Sequence, residues 1–224
     1  MRYFFTDKTG GVSQPPYESL NLGLHVGDDA QHVLRNRMLV QEKIGAKKCV
    51  FMNQVHGDEV VIIETGDETP TCDALITHQK GIALAVMVAD CMPILLYDDA
   101  TQVIGVAHAG REGTKLGVAQ TCALKMREYF GASFSSLKVM MGPSIHGCCY
   151  EVGEEAIVGL ERVAELRNGH YFLDLQRFNY EAFLAMGIRE ENIERSSTCT
   201  CCSNTLFSYR REKVTGRFAG VISL

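Results

Sequence analysis

The 224-residue chain has no apolar run long enough to cross a bilayer, no H-x-H pair among its seven histidines, and no excess of positive charge. It also has no internal repeat, low-complexity stretch or Pro/Ser-rich linker. Each absence excludes a class. A spanning helix needs about 20 consecutive apolar residues, and runs such as "IALAVMV" fall well short. The opening "MRYFFTDKTGG" is too briefly apolar for a signal peptide, since Asp7 and Lys8 interrupt it. A cytoplasmic protein with no membrane partner is the expectation. A net charge of −5 argues against nucleic acid as a partner. Without a linker, residues 1–224 are expected to form a single domain.

Nine cysteines are present, an odd number without a secretion signal. Reduced thiols are therefore a better reading than a disulfide framework, and most need no role beyond packing. That applies to Cys148 and Cys149, and to the "CTCC" stretch at Cys199, Cys201 and Cys202. A second metal or redox site is the alternative there, but C-x-C-C is not a usual zinc spacing.

Asp28 followed by Gln31 resembles a capping box that opens a helix over 29–44. Helical spacing recurs over 114–129, in "EEAIVGLERVAEL" and in "RFNYEAFLAMG". Strand patterns mark "CVFMN", "EVVIIE", "IALAVMV", "PILLYD", "QVIGVAH", "LKVMMGP" and "GRFAGVISL". The mixture predicts an α/β (mixed α+β) fold: one layered domain of mixed sheets flanked by helices.

Two of those strands end on reactive residues, Cys91 after "IALAVMVAD" and His108 after "QVIGVA". Short connections predict two successive antiparallel hairpins, which leave Cys91 and His108 beyond the same ends of strands two positions apart. Their backbones would then be about 10 Å apart, a span that two side chains can close on one ion. His56 in "NQVHG" is a third candidate, but local pattern does not bring it to the others. A cysteine–histidine hydrolase, with Cys91 as nucleophile and His108 as base, is the metal-free alternative. The "AGREGT" turn before a helix would make an anion cradle, though Glu112 opposes an anion there.

The motifs "GGVS", "PPYESLNLGLHVGDD", "NQVHG", "DALIT", "ADCMPILLYD", "GVAHAG", "GPSIHGCCYEVG", "CTCCSNTLFSYRRE" and "TGRFAGVI" occur in an order that resembles the laccase-domain, or polyphenol-oxidase-like, family. Its members are described as purine nucleoside phosphorylases with adenosine deaminase activity, and one branch as peptidoglycan editing factors. The resemblance implies a fold like that of putative cysteine hydrolases. It also implies a zinc ion on His56, Cys91 and His108, and these residues as the catalytic set. Three protein ligands with an open position suit a catalytic zinc. Phosphorolysis of adenosine, inosine or methylthioadenosine and hydrolytic deamination of adenosine would follow, with Asp73 and Asp90 as candidate proton donors.

The chain departs from the family in two places. The usual "AHAGWRGT" reads "AHAGREGT", so that Arg111 and Glu112 replace tryptophan and arginine. Lys8 stands where an arginine often precedes "GGVS", keeping the charge without the bidentate fork. Lys8, Arg37, Arg111 and Arg210 are the candidate substrate-binding cations. Tyr150 is a candidate for stacking or core, and His25 for a pocket wall or a turn held by Asp28 and Asp29. Copper would also bind two histidines and a cysteine, because it outcompetes zinc for such donors. The scattered histidines cannot build a multicopper centre, so any polyphenol oxidation would be a side activity of a copper-loaded site. An amidase acting on a peptidoglycan precursor is the hydrolase version of the alternative.

Overall fold

The structure is a computed structural model that describes residues 1–224. Its strands are β1 (Arg2–Phe5), β2 (Lys48–Phe51), β3 (Val60–Ile62), β4 (Ala74–Thr77), β5 (Ile82–Val88), β6 (Met92–Asp98), β7 (Val103–Ala109), β8 (Lys138–Met141), β9 (Glu151–Val152), β10 (Ala164–Arg167), β11 (His170–Leu173), β12 (Ile193–Arg195) and β13 (Phe218–Ser223). The helices are α1 (Ala30–Ile44), α2 (Arg111–Leu116), α3 (Val118–Phe130), α4 (Leu175–Ala185) and α5 (Tyr209–Glu212). No helix is long and apolar enough to cross a membrane.

Two sheets carry the fold, a six-stranded one ordered β12-β8-β6-β7-β4-β3 and a four-stranded one ordered β1-β13-β5-β2. Both are mixed: β12·β8, β3·β4 and β2·β5 are parallel, and the other pairs are antiparallel. The buried side chains show how the layers stack. In β6, Ile94 and Leu96 share a cluster with Ala119, Cys122 and Met126 of α3. Leu95 and Tyr97, on the opposite face, pack with Leu84, Val86 and Phe218 of the second sheet. Ala83, Ala85 and Met87 of β5 then meet Val40 and Ile44 of α1. The order is helix, sheet, sheet, helix, as expected of mixed sheets flanked by helices. Central strands covered on both faces read as unbroken apolar runs, which is why β5, β6 and β7 are buried along their whole length.

The first of the two expected hairpins does not form. β5 belongs to the four-stranded sheet, where β13 and β2 occupy both its edges. β6 is likewise flanked on both sides, by β7 and β8. With no free edge on either strand, the turn at Ala89–Cys91 carries the chain from one sheet to the other. Asp90 makes the crossing with a left-handed backbone, φ 95°. The β6–β7 hairpin does form, in the register Pro93↔His108 and Met92↔Ala109. Cys91 and His108 are therefore on adjacent strands, closer than the two-strand spacing expected.

Three helix boundaries also differ. The cap of α1 is Asp29, whose carboxylate accepts from the Gln31 amide at 2.7 Å. Asp28 instead accepts from Ser13 Oγ (2.6 Å) and Asn21 Nδ2 (2.9 Å) in the loop beneath. The helix expected over 114–129 begins earlier and is divided, because Gly117 takes φ 78° between α2 and α3. "EEAIVGLERVAEL" is not one helix but two 3₁₀ turns, Glu154–Ile157 and Glu161–Val163, followed by β10. Gly159, at φ 82°, breaks the run, and Asn168-Gly169, both at positive φ, make the tight turn from β10 to β11.

Candidate metal centre and its cavity

The crossing from β5 to β6 puts Cys91 at one end of the sheet sandwich, beside the last residues of β7. His108 points into the same space from β7 and is almost wholly buried. His56 arrives on the loop between β2 and β3, with φ 62°. The nearest donor atoms of His56, Cys91 and His108 all lie within 4.8 Å of one another. Cys91 Sγ and His56 Nε2 are 3.9 Å apart. A zinc ion with tetrahedral sulfur and nitrogen ligands would set that separation at about 3.6 Å, so this pair is within a few tenths of an ångström of a ligating distance. The two imidazole rings meet edge to face, 4.7 Å between centroids.

What ties the two histidines together is Asp73, just before β4 and without solvent contact. Its Oδ1 accepts from the His56 amide at 3.0 Å and lies 2.8 Å from His108 Nδ1. Its Oδ2 accepts from the amides of Val55 (3.2 Å) and Gly57 (2.7 Å). One carboxylate thus folds the His56 loop and occupies His108 Nδ1, leaving His108 Nε2 as the ligand atom. Gly110 forms the floor: a Cβ there would sit 2.9 Å from Cys91 Sγ and 3.1 Å from His56 Cδ2. The residues fit a soft divalent cation by donor type, convergence and an oriented imidazole.

Charge reinforces the geometry. Burial works against a thiolate at Cys91, but His108 and His56 outweigh it and bring the thiol down to about 6. Burial likewise works against a charged His108, yet the Cys91 thiolate and Asp73 raise it to about 9. Asp73 is held below the usual carboxylate range: burial raises it, and the His108 and backbone hydrogen bonds more than offset that. Without metal, the pair is a thiolate beside an imidazolium.

The cluster opens into a cavity of about 490 Å³, within the roughly 300–1,000 Å³ common for small-molecule sites. His25, Ile145, Tyr150 and Arg210 are among its walls. Of the expected cations, only Arg210 lines it. Its guanidinium donates to the Glu151 carbonyl at 2.8 Å and lies over the Tyr150 ring. Arg37 lies under a separate hollow, stacked on Phe51 at 4.1 Å and bonded to the Leu22 carbonyl, with burial lowering it to about 10. Arg111 pairs with Glu112 at 3.0 Å, outside the cavity wall. Lys8 serves through its backbone, with its amide bonded to the Thr205 carbonyl, and its side chain does not line the cavity.

Neither candidate proton donor is free. Asp73 lies behind the metal ligands, away from the cavity. Asp90 reaches the wall, but its oxygens accept from Thr200 Oγ1 and the Arg210 amide, each at 2.6 Å. His25 is on the wall and is kept neutral by burial, then by Arg217 and Arg37. Lys213 and Arg217 also line the cavity and were not singled out from sequence. Their signal was present in "YRREKVTGRF", where basic residues continue past Arg211 to the start of the last strand. Arg211 itself ties loops together by donating to the carbonyls of Thr200, Ser203 and Leu206.

Comparison with known proteins bears on this site. A family model described as multi-copper polyphenol oxidoreductase laccase matches residues 2–224. A purine nucleoside phosphorylase of Corynebacterium glutamicum is 41% identical, covering 100% of this chain and 94% of its own. The purine nucleoside phosphorylase YlmD of Bacillus subtilis is 34% identical, covering 98% of this chain and 87% of its own. Among solved structures, the YfiH protein of Bacillus licheniformis superposes with a TM-score of 0.94 at 33% identity, covering 99% of this chain and 92% of its own.

Proposed function

The chain belongs to the multi-copper polyphenol oxidoreductase laccase family, and from that membership and its cavity we propose that it catalyses metal-dependent phosphorolysis of purine nucleosides. The observation that carries this reading is a set of three cations, Arg210, Lys213 and Arg217, that share one cavity with His56, Cys91 and His108. None of the three side chains pairs with a carboxylate. Unpaired cations facing a cavity this small favour a dianion such as phosphate. The naming of relatives as purine nucleoside phosphorylases agrees with that substrate pair. The whole of residues 1–224 would act as one domain, since the wall draws on residues from His25 to Arg217.

Zinc held by His56, Cys91 and His108 would supply Lewis acidity toward an oxygen of phosphate or water. The protein's own groups do the rest. Arg210, Lys213 and Arg217 hold the hydrogen phosphate dianion against C1′ of the ribose, where its oxygen forms the new bond as the glycosidic electron pair leaves with the purine, which takes up the proton that the phosphate gives up. Tyr150, Ile145 and Met87 offer ring and apolar surface to the purine. His25, neutral near pH 7, is placed to hydrogen-bond a purine edge. The same centre would serve deamination of adenosine at C6. Copper in place of zinc accounts for the oxidase name attached to the family.

The test follows adenosine with and without phosphate in protein of measured metal content. Phosphate-dependent release of adenine and ribose 1-phosphate is expected, and inosine formation independent of phosphate marks the deaminase branch. Metal-replete protein that turns over neither would refute the reading.

A second reading rests on the Cys91–His108–Asp73 chain, in which a thiol near 6 faces an imidazolium held by a carboxylate. That arrangement is also an activated nucleophile, suited to a cysteine hydrolase or to an amidase acting on a peptidoglycan precursor. Chelation would leave such an enzyme active and alkylation of Cys91 would abolish its activity.

A further inference from the structure

A second cluster lies on the other side of the Tyr150 wall. Cys148 and Cys149 sit in the turn that begins at His146, whose carbonyl accepts from the amides of Cys149 and Tyr150, both at 2.9 Å. Cys199 and Cys202 sit in a second turn, closed by the Ser203 amide on the Cys199 carbonyl at 3.0 Å. The two turns are joined by a bridge between Ser144 and Cys199. All four sulfur atoms lie within 4.8 Å of one another. The pairs Cys148–Cys149, Cys148–Cys202 and Cys149–Cys202 are 3.7, 3.8 and 3.3 Å apart. The edge of a tetrahedron with zinc–sulfur bonds of about 2.3 Å is about 3.8 Å, whereas a disulfide needs about 2.05 Å.

The sequence spacing is more favourable than "CTCC" first suggests. The members of the cluster are Cys199 and Cys202, with Cys201 outside it, so the spacing is C-x-x-C, a frequent one for zinc. The surroundings suit a negatively charged centre. The His146 amide donates to Cys199 Sγ at 3.4 Å, the contact that supports a bound thiolate. Three guanidinium groups are tied to the carbonyls of these same turns: Arg167 to Gly147 (3.0 Å), Arg210 to Cys149 (3.4 Å) and Arg211 to Thr200 (2.8 Å). Two of the four cysteines are exposed and only Cys199 is buried, so apolar packing does not account for the cluster.

We propose that Cys148, Cys149, Cys199 and Cys202 form a second metal site, a closed tetrathiolate centre for zinc that pins together two turns of the cavity wall. One turn carries Tyr150 directly after Cys149. The other carries Thr200, whose hydroxyl holds Asp90 at the sheet crossing. Four sulfur ligands leave no open position, so this centre is structural, unlike the one formed by His56, Cys91 and His108. The proposal does not depend on what the first centre catalyses.

The test uses the full chain purified with a thiol reductant, by metal analysis and by exchange with Co²⁺. Wild type is expected to hold two zinc ions per chain, and both His56→Ala and the double variant Cys149→Ser/Cys202→Ser one each. Cobalt-loaded His56→Ala should keep a sulfur-to-cobalt charge-transfer band of several-fold the single-thiolate intensity, whereas the double variant should show only the weaker band of Cys91. If the double variant does not fold, the wild-type cobalt spectrum decides: intensity from the single Cys91 thiolate overturns the proposal. So does wild type with one zinc that disappears in His56→Ala, or a Cys149–Cys202 disulfide in the peptide map. A wild type with one zinc that persists in His56→Ala and is lost in the double variant would support this site and count against the first.

Discussion

Asp73→Asn keeps the shape of the side chain and replaces one acceptor oxygen with a donor. The carboxylate serves four donors, the amides of Val55, His56 and Gly57 and the ring of His108, and is itself without solvent contact. With the new NH₂ at the Oδ2 position, it faces the amides of Val55 and Gly57. With NH₂ at the Oδ1 position, it faces the His56 amide and forces the His108 proton onto Nε2, the nitrogen needed for metal. Either way about two hydrogen bonds to this buried side chain are lost, at about 1–2 kcal/mol each, or about 2–4 kcal/mol in total. For a chain of this size that lowers Tm by roughly 2–4 °C per kcal/mol, or about 4–16 °C. Loss of the group that orients a metal-ligating histidine weakens metal binding by about 10–100-fold. Competition against a chromophoric chelator measures the affinity, and calorimetry of the metal-free protein gives Tm. A variant with wild-type zinc affinity and a Tm within about 2 °C would refute the role given to Asp73.

The remaining expectations concern protons, space and charge. Because His108 is raised to about 9 and Cys91 is lowered to about 6, zinc uptake at pH 7 should release about one proton, from His108, and affinity should rise with pH toward 9. Titration calorimetry in two buffers of different ionisation enthalpy checks this, and a pH-independent affinity would contradict it. Asp73 titrates lower folded than unfolded, so its stabilisation is present above about pH 4 and lost as pH falls through the folded value. Acid-unfolding curves of wild type and Asp73→Asn should therefore converge at low pH. Gly110→Ala should leave the fold intact at a cost of about 1–3 kcal/mol but displace Cys91 and His56, so that metal content falls more than Tm predicts. Lys213→Met should raise KM for phosphate about 10-fold or more, as expected for a lost charge-assisted contact, with a much smaller change in KM for the nucleoside. Equal changes in both would remove Lys213 from the phosphate.

Much of this protein was legible one segment at a time. Apolar runs marked β5, β6 and β7 as strands, and the short "DATQ" connection marked the hairpin that joins the last two. The existence of α1, though with Asp28 rather than Asp29 as its cap, and the reactive residues at the ends of β-runs were visible in the same way. The resemblance to a known family named His56, Cys91 and His108 together, which local pattern alone did not. What periodicity cannot say is which edge a strand will take: it fixes the face that is buried, while the pairing depends on which edges are already filled. That is why β5 went to the second sheet, and why Cys91 and His108 became neighbours rather than residues two strands apart. Asp73 as the common anchor, Arg210, Lys213 and Arg217 on one wall, and Cys148 and Cys149 against Cys199 and Cys202 all join residues dozens of positions apart. They meet only because two sheets pack face to face and draw their end loops into one place, a consequence of burying both apolar faces of each sheet that no single segment encodes.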